Sequence, residues 1–112
     1  MKKYETWVAD LNPQMGTEPG KTRPVVIAQT NFLNGLHPST IVCPLTTKVQ
    51  PGATLLRIHL PAGTAGLTQD SDIMVNQLRA IDNRRLVQKI GSLPAGLRAR
   101  LDENLRAVLD LP

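Results

Sequence analysis

Residues Asp10 to Ile27 read DLNPQMGTEPGKTRPVVI, a polar segment that runs directly into a short apolar strand. Two prolines and two glycines interrupt the polar part, so we predict a loop there. Pro24 disfavours the α region at Arg23, and proline is tolerated at the first residue of a strand. Arg23 is therefore predicted to stand at the rigid start of a strand beside a long loop. This position suits an arginine that grips an anion, and equally an ordinary surface arginine.

Short strands are predicted along most of the chain, because apolar and β-branched residues recur in brief runs bounded by turn residues. In residues 55–60, apolar side chains alternate with Arg57 and His59, which is the period of a half-buried strand. Proline cannot donate to a ladder, so Pro44 places the third strand at an edge or a bulge. Asp82 is predicted to cap a single helical turn before the last strand. The predicted strands are residues 6–9, 25–28, 40–47, 55–60, 71–75 and 87–93.

One amphipathic helix is predicted at the end of the chain, and Pro94 suits its first position. Several short strands with one terminal helix predict a mainly β (α+β) fold, in which the helix closes a small, strongly bent sheet or barrel. The length predicts one domain spanning residues 1–112. The apolar stripe of the helix consists of Leu97, Leu101, Leu105, Val108 and Leu109.

Composition limits the classes of partner and compartment. Thirteen basic and nine acidic residues give a net charge of +4, which is compatible with a polyanionic partner. The single Cys43 follows Ile41 and Val42, so we predict a buried, inert thiol in a reducing compartment. No apolar export signal or membrane-spanning run occurs, so we expect a cytoplasmic protein without membrane contact.

Several chemistries are not indicated by the residues present. His37 and His59 are distant in sequence and one cysteine cannot build a zinc site, so no metal is expected. No glycine-rich phosphate loop opens a helix, so no nucleotide of that kind and no cofactor is expected. Asp70 and Asp72 are interpreted as turn residues and a solvated edge rather than as a catalytic pair.

Polar groups gather at the ends of neighbouring predicted strands. If the second and third strands are antiparallel neighbours, Arg23 at the start of one lies beside Thr46 at the end of the other. Asn76, Gln77 and Arg79 follow the fifth strand. An arginine, a hydroxyl and amides on one rim suit phosphates and unstacked bases. The alternative is that Thr46 only favours a strand and that the amides bond backbone groups at a bend.

Four segments, taken in this order, carry a family resemblance: VADLNP at 8–13, GTEPGKTRPVVI at 16–27, IVCPLT at 41–46 and NQLRAID at 76–82. Through them the chain resembles the MazF/PemK family of toxin endoribonucleases along nearly its whole length. The resemblance implies an SH3-like barrel of about six or seven strands with a C-terminal helix. It also implies a homodimer that cleaves single-stranded RNA at short sequences without a metal. In that reaction the 2′-OH of the RNA attacks, which leaves a 2′,3′-cyclic phosphate and a 5′-hydroxyl.

The same resemblance implies two partners, a single-stranded mRNA and a cognate antitoxin whose acidic, disordered segment blocks the groove. Contact with DNA would then occur only within the toxin–antitoxin complex. The alternative is a non-catalytic nucleic-acid-binding barrel of the same fold that acts only with its antitoxin as a transcriptional regulator. A barrel that binds proteins through an aromatic groove is not supported, because aromatic residues make up only 3% of the chain.

Arg23 and Thr46 match the catalytic arginine and the catalytic serine or threonine of the family by position. A guanidinium with a pKa above roughly 12 gives up its proton reluctantly, so we expect Arg23 to stabilise the phosphorane-like transition state. Thr46 is expected to hydrogen-bond a phosphate oxygen. The loop at residues 12–22 is implied to be mobile and to order around RNA or antitoxin. The residues implied to bind RNA are Glu18, Lys21, Thr47, Asn76, Gln77 and Arg79.

The chain also departs from the family pattern. Tyr4 and Glu5 replace the Gly-Asp that commonly precedes the first strand. Met74 and Asn76 occupy positions where some relatives carry an arginine and an aspartate as acid–base residues, so no general base is visible in the sequence. Glu18, the one acid of the loop, suits a place beside the RNA and equally a solvent-facing turn.

Overall fold

The computed structural model describes residues 1–18 and 20–112; Pro19, one of the two prolines of the polar loop, lies outside the described residues. Every predicted strand is present with shifted ends, and Arg79–Asp82 adds a seventh. The turn capped by Asp82 is confirmed as a 3-10 helix at Asn83–Arg85, where the Asp82 side chain accepts from the Arg84 backbone N–H. The elements are β1 Glu5–Asp10, β2 Thr22–Ile27, β3 Ser39–Thr46, β4 Arg57–Leu60, β5 Ser71–Met74, a 3-10 helix Val75–Gln77, β6 Arg79–Asp82, a 3-10 helix Asn83–Arg85, β7 Leu86–Ser92 and α1 Ala95–Val108.

The strands form one antiparallel sheet in the order β4-β5-β3-β2-β1-β7, with β6 also paired to β3. The third strand is therefore central, so of the two alternatives predicted from Pro44, an edge or a bulge, the edge is wrong. On the side away from β2, β3 pairs with β6 through residues 39–42 and with β5 through residues 45–46. Pro44 lies in the gap where β3 changes partner, so the missing N–H interrupts neither ladder.

The core is aliphatic, as the scarcity of aromatic residues predicts. The larger of two buried clusters lies beneath helix α1, whose Leu101 is fully buried against it. Cys43 belongs to this cluster, which confirms that it is buried, and burial raises the pKa of its thiol to about 12. Pro94 precedes the first helical residue as the N-cap, one position earlier than predicted. Within the described residues, no helix is long and apolar enough to cross a membrane.

The sheet closes on itself by glycine contacts instead of by a ladder. The end strands β4 and β7 are not paired, but the loop between β4 and β5 packs against β7. A Cβ on Gly66, whose φ is 78°, would overlap the Ile90 carbonyl, and a Cβ on Gly91 would collide with the Ala65 backbone. Thr6 Oγ1 donates to the Ala65 carbonyl oxygen at 2.6 Å across the same seam. The fold is therefore barrel-like with an open hydrogen-bond ladder.

The entry to β1 shows how the chain tolerates Tyr4 and Glu5. Tyr4 adopts a φ of 72°, the left-handed region that favours glycine. Its hydroxyl donates to the Asp102 carboxylate of α1 and lies 2.9 and 2.8 Å from the two carboxylate oxygens. This hydrogen bond ties the helix to the sheet. The Glu5 carboxylate lies 2.9 Å from the Lys89 ammonium of β7. These contacts anchor the entry of β1 to helix α1 and to β7.

Candidate active site

A cleft of about 650 Å³ opens between the β1–β2 loop, the end of β3 and the β4–β5 loop. Its wall is rich in polar side chains, and the glycine seam forms part of it through Gly66 and Ile90. The polar lining residues are Gln14, Thr17, Glu18, Lys21, Thr22, Arg23, Thr46, Thr47, Lys48, Gln50, Arg57, Thr68, Gln69 and Ser71.

Arg23 lies beside the end of β3, as the predicted antiparallel pairing of β2 and β3 requires. Continuation of the observed register places Arg23 opposite Thr46. Its Nη1 donates to the Leu45 carbonyl oxygen at 3.2 Å and its Nε donates to the Gly20 carbonyl oxygen at 2.8 Å. Both anchors are neutral backbone groups, so the guanidinium is held in place while its charge remains available to a ligand.

The electrostatics of the cleft favour an anion. Among the described residues, no carboxylate lies within ion-pair distance of Arg23, and burial lowers the pKa of its guanidinium. An arginine stays charged near neutral pH despite such a shift, since its ordinary pKa lies above roughly 12. A desolvated, uncompensated cation gains strongly from a phosphate partner. The charged lining residues are four cations and one acid: Lys21, Arg23, Lys48, Arg57 and Glu18.

The Thr46 hydroxyl can donate a hydrogen bond to a ligand. Its Oγ1 accepts from the Lys48 backbone N–H at 3.2 Å, which uses a lone pair and leaves the hydroxyl proton unengaged by that contact. The hydroxyl and the Arg23 guanidinium therefore both offer donors on the same wall. Thr47 follows on the exposed rim of the cleft.

The β1–β2 loop has a fixed stem and an exposed tip. Leu11 is fully buried and its N–H donates to the Lys21 carbonyl oxygen at 2.9 Å, while the Lys21 N–H donates to Asn12 Oδ1 at 2.8 Å. From the other side, Arg85 Nη1 donates to the Asp10 carbonyl oxygen at 3.0 Å. The tip at residues 13–18 is exposed and includes Glu18, which lines the cleft.

Asn76, Gln77 and Arg79 lie outside this cleft. The two amides belong to the 3-10 helix after β5, which contacts helix α1. Arg79 pairs with Val42 at the start of β6. The structure therefore brings Glu18, Lys21, Arg23, Thr46 and Thr47 together, and it sets the other three predicted residues apart from them.

Asp72 is buried, so its interpretation as a solvated edge is wrong. Its carboxylate is 1% exposed, accepts from the Gln50 N–H at 2.8 Å and lies 3.4 Å from Arg57 and 3.3 Å from His59. Asp70, by contrast, is exposed and accepts from the Ala62 N–H at 2.8 Å, which confirms a turn residue. Arg57 also lines the cleft, which its sequence pattern did not reveal, although the alternation around it correctly predicted that Arg57 and His59 point away from the core.

Comparison with known proteins gives consistent matches over the whole chain. Residues 2–109 match the family described as PemK-like, MazF-like toxin of type II toxin-antitoxin system. Endoribonuclease EndoA of Bacillus subtilis (strain 168) is 33% identical over 111 residues, covering 99% of this chain and 96% of that protein. Endoribonuclease MazF6 of Mycobacterium tuberculosis (strain ATCC 25618 / H37Rv) is 32% identical over 112 residues, covering 99% and 98%.

A solved structure described as Mycobacterium tuberculosis toxin MazF-mt6 superposes with a TM-score of 0.81 at 26% identity, covering 96% of this chain and 98% of that chain. Another, described as an endoribonuclease in complex with its cognate antitoxin from Mycobacterial species, superposes with a TM-score of 0.81 at 15% identity, covering 100% and 97%. The second match supports the fold alone.

Proposed function

This chain belongs to the PemK-like, MazF-like toxin family of type II toxin–antitoxin systems, and from that premise we propose how its cleft cleaves RNA. It is an endoribonuclease toxin of that family, like the relatives it matches. The observation that carries the proposal is the Arg23 guanidinium, held by backbone carbonyls opposite Thr46 in a cleft with excess positive charge. We treat residues 1–112 as one toxin domain, which the family match over residues 2–109 supports.

The proposed reaction needs no cofactor and no metal. The 2′-oxygen of a ribose attacks the adjacent phosphorus and loses its proton, while the bond from phosphorus to the 5′-oxygen breaks and that oxygen gains a proton. The products are a 2′,3′-cyclic phosphate and a 5′-hydroxyl. Negative charge accumulates on the non-bridging oxygens in between, and the donors of Arg23 and Thr46 are proposed to stabilise it.

The same cleft suits the backbone of a single strand. Lys21 and Thr47 line it beside the two catalytic candidates, and they are proposed to contact phosphates or sugars of the RNA. Glu18 is an acceptor, so it is proposed to bond a base amino group when the loop tip orders around RNA. Asn76, Gln77 and Arg79 are proposed to contact the RNA only where the strand leaves the cleft.

The proposed partners follow from charge and exposed apolar surface. An antitoxin with an acidic, disordered segment would compete with RNA for the cationic cleft, and contact with DNA would arise only within that complex. A homodimer is proposed because one loop exposes Phe32 (88%), Leu33 (45%) and Leu36 (83%) close together in sequence. Light scattering of the purified protein tests the dimer, and the Phe32→Ser variant is expected to shift it towards monomer. A cytoplasmic location is proposed alongside these partners.

The test of the activity is cleavage of a long unstructured RNA by protein free of antitoxin, in EDTA, with the ends mapped. Discrete cuts with 5′-hydroxyl ends are expected from the parent protein. Arg23→Ala should lower the rate by roughly 10²–10³, as the loss of one oxyanion donor typically does. Arg100→Ala, on the exposed face of α1, is the matched control and should cut at the parent rate. Binding without cuts would instead support the non-catalytic barrel.

A further inference from the structure

A second arginine shares the cleft with Arg23 and is held by a buried carboxylate. Arg57 lies on β4, where its side chain is 16% exposed and still lines the cleft. Its Nη1 lies 3.4 Å from Asp72 Oδ2 and donates to the Lys48 carbonyl oxygen at 3.3 Å. Within the described residues, its Nε and Nη2 form no hydrogen bond, so one edge of the guanidinium fork is open.

The strand register places this arginine on the same face of the sheet as the reacting groups. Thr46 is opposite Asp72, and Asp72 is opposite His59, so these three form one row across β3, β5 and β4. Residues directly opposite each other share a face, and Arg57 shares it because it stands two positions from His59. Arg57 and Thr46 therefore project from one surface, about two strand spacings apart.

We propose that Arg57, oriented by Asp72, binds a second phosphate of the RNA, next to the scissile phosphate held by Arg23 and Thr46. This inference rests on the proposed function of the cleft. A guanidinium suits the task because its planar fork makes paired hydrogen bonds to phosphate oxygens. Asp72 fixes the side chain through one terminal nitrogen and leaves the other edge for the ligand. Asp72 is thus a positioning residue and Arg57 a substrate-binding residue.

His59 supplies the matched control for this proposal. Arg57 and His59 both contact the Asp72 carboxylate, so removal of either disturbs the same cluster. Only Arg57 lines the cleft; the imidazole side chain is 46% exposed on the sheet surface and is not part of that wall. A merely structural role of the cluster predicts equal effects of the two substitutions, whereas a phosphate subsite predicts an effect of Arg57 alone.

The experiment compares the parent with Arg57→Gln, Arg57→Lys and His59→Gln on a short RNA that the parent cuts. Arg57→Gln is expected to raise KM about tenfold with kcat changed less than about twofold, because a charge-assisted contact in the bound substrate is lost. Binding is measured with the same RNA carrying a 2′-O-methyl group at the cut site. For Arg57→Gln, the slope of log affinity against log salt concentration should be smaller than that of the parent by about 0.7, the value for one phosphate contact of a single strand. His59→Gln should keep the parent KM and slope.

A scan with single methylphosphonate linkages identifies the phosphate. Neutralising one linkage beside the cut site should weaken binding to the parent and should have no further effect on Arg57→Gln, since the two changes remove one interaction. If Arg57→Gln does not fold, the same scan on the parent and on Arg57→Lys tests whether the sensitive linkage depends on the Arg57 guanidinium. Equal effects of Arg57→Gln and His59→Gln, or no sensitive linkage in the parent, would overturn the inference. A parent that cuts no RNA would instead overturn the proposed function.

Discussion

Gly66→Ala is expected to destabilise this protein because it opens the seam that closes the sheet. The new methyl group would overlap the Ile90 carbonyl oxygen of β7, which is backbone and cannot rotate away. The φ of 78° adds a second cost, since an L-residue in the left-handed region loses roughly 1–2 kcal/mol. Overpacking against fixed neighbours adds roughly 1–3 kcal/mol. The expected total is therefore about 2–5 kcal/mol of the free energy of unfolding.

Gly63→Ala separates the two contributions. Gly63 lies in the same loop with a φ of 90°, and a Cβ there would meet no atom within 4 Å. This variant should therefore show only the backbone cost, roughly 1–2 kcal/mol. The difference between the two variants, about 1–3 kcal/mol, measures the contact with β7.

Urea unfolding followed by the fluorescence of Trp7 measures this difference. Trp7 is the only tryptophan and belongs to β1, whose neighbour β7 forms the other side of the seam. At roughly 4 °C per kcal/mol for a domain of this size, melting temperatures should differ by about 4–12 °C. Equal stabilities of Gly66→Ala and Gly63→Ala would falsify the view that this contact holds the barrel closed.

Two further predictions concern a hydroxyl in the cleft and a hydroxyl in the anchor of the helix. Thr46→Val should lower kcat about 10²-fold at unchanged melting temperature, whereas Thr47→Val, at a residue proposed only to bind RNA, should raise KM and leave kcat near the parent value; steady-state cleavage kinetics of both variants measure this. Tyr4→Phe should cost about 1–2 kcal/mol in urea unfolding, because the bond to Asp102 is lost. Burial and then the bond to Asp102 raise the pKa of Tyr4 from 10.0 to about 12, so the folded state holds the phenolic proton more tightly. The advantage of the parent over Tyr4→Phe should hold below pH 10 and disappear between about 10 and 12; an advantage that grows there would contradict the assignment.

Local patterns predicted most of the elements. The alternation of apolar and polar residues at 55–60 predicted that Arg57 and His59 point away from the core. The leucine repeat predicted helix α1. Arg23 was placed beside Thr46 correctly, because antiparallel pairing of two strands joined in sequence follows from the chain itself. These successes rest on interactions between residues that are near in sequence or on consecutive strands.

The errors arose where a residue depends on partners far away in the chain. One alternative for Pro44 was a position on an edge strand. It lies instead between the part of β3 that pairs with β6 and the part that pairs with β5, and only the register of these three strands reveals this gap in the pairing. Asp72 appeared solvated, but Arg57 and His59 from β4 cover its carboxylate. Asn76 and Gln77 were predicted on the same rim as Arg23, but they belong to a 3-10 helix that contacts α1 and they do not line the cleft, so their contact with RNA stays a prediction.

The polar loop, the arginine at the start of β2 and the family of the chain therefore follow from the sequence. Period, turn residues and motif order are local properties, and they do not depend on how the sheet bends. The tertiary structure determines which cations share the cleft, because β2 and β4 are brought to it across the two strands that lie between them in the sheet. It also decided how the sheet closes, since Gly66 and Gly91 are 25 residues apart and each matters only through the backbone it approaches.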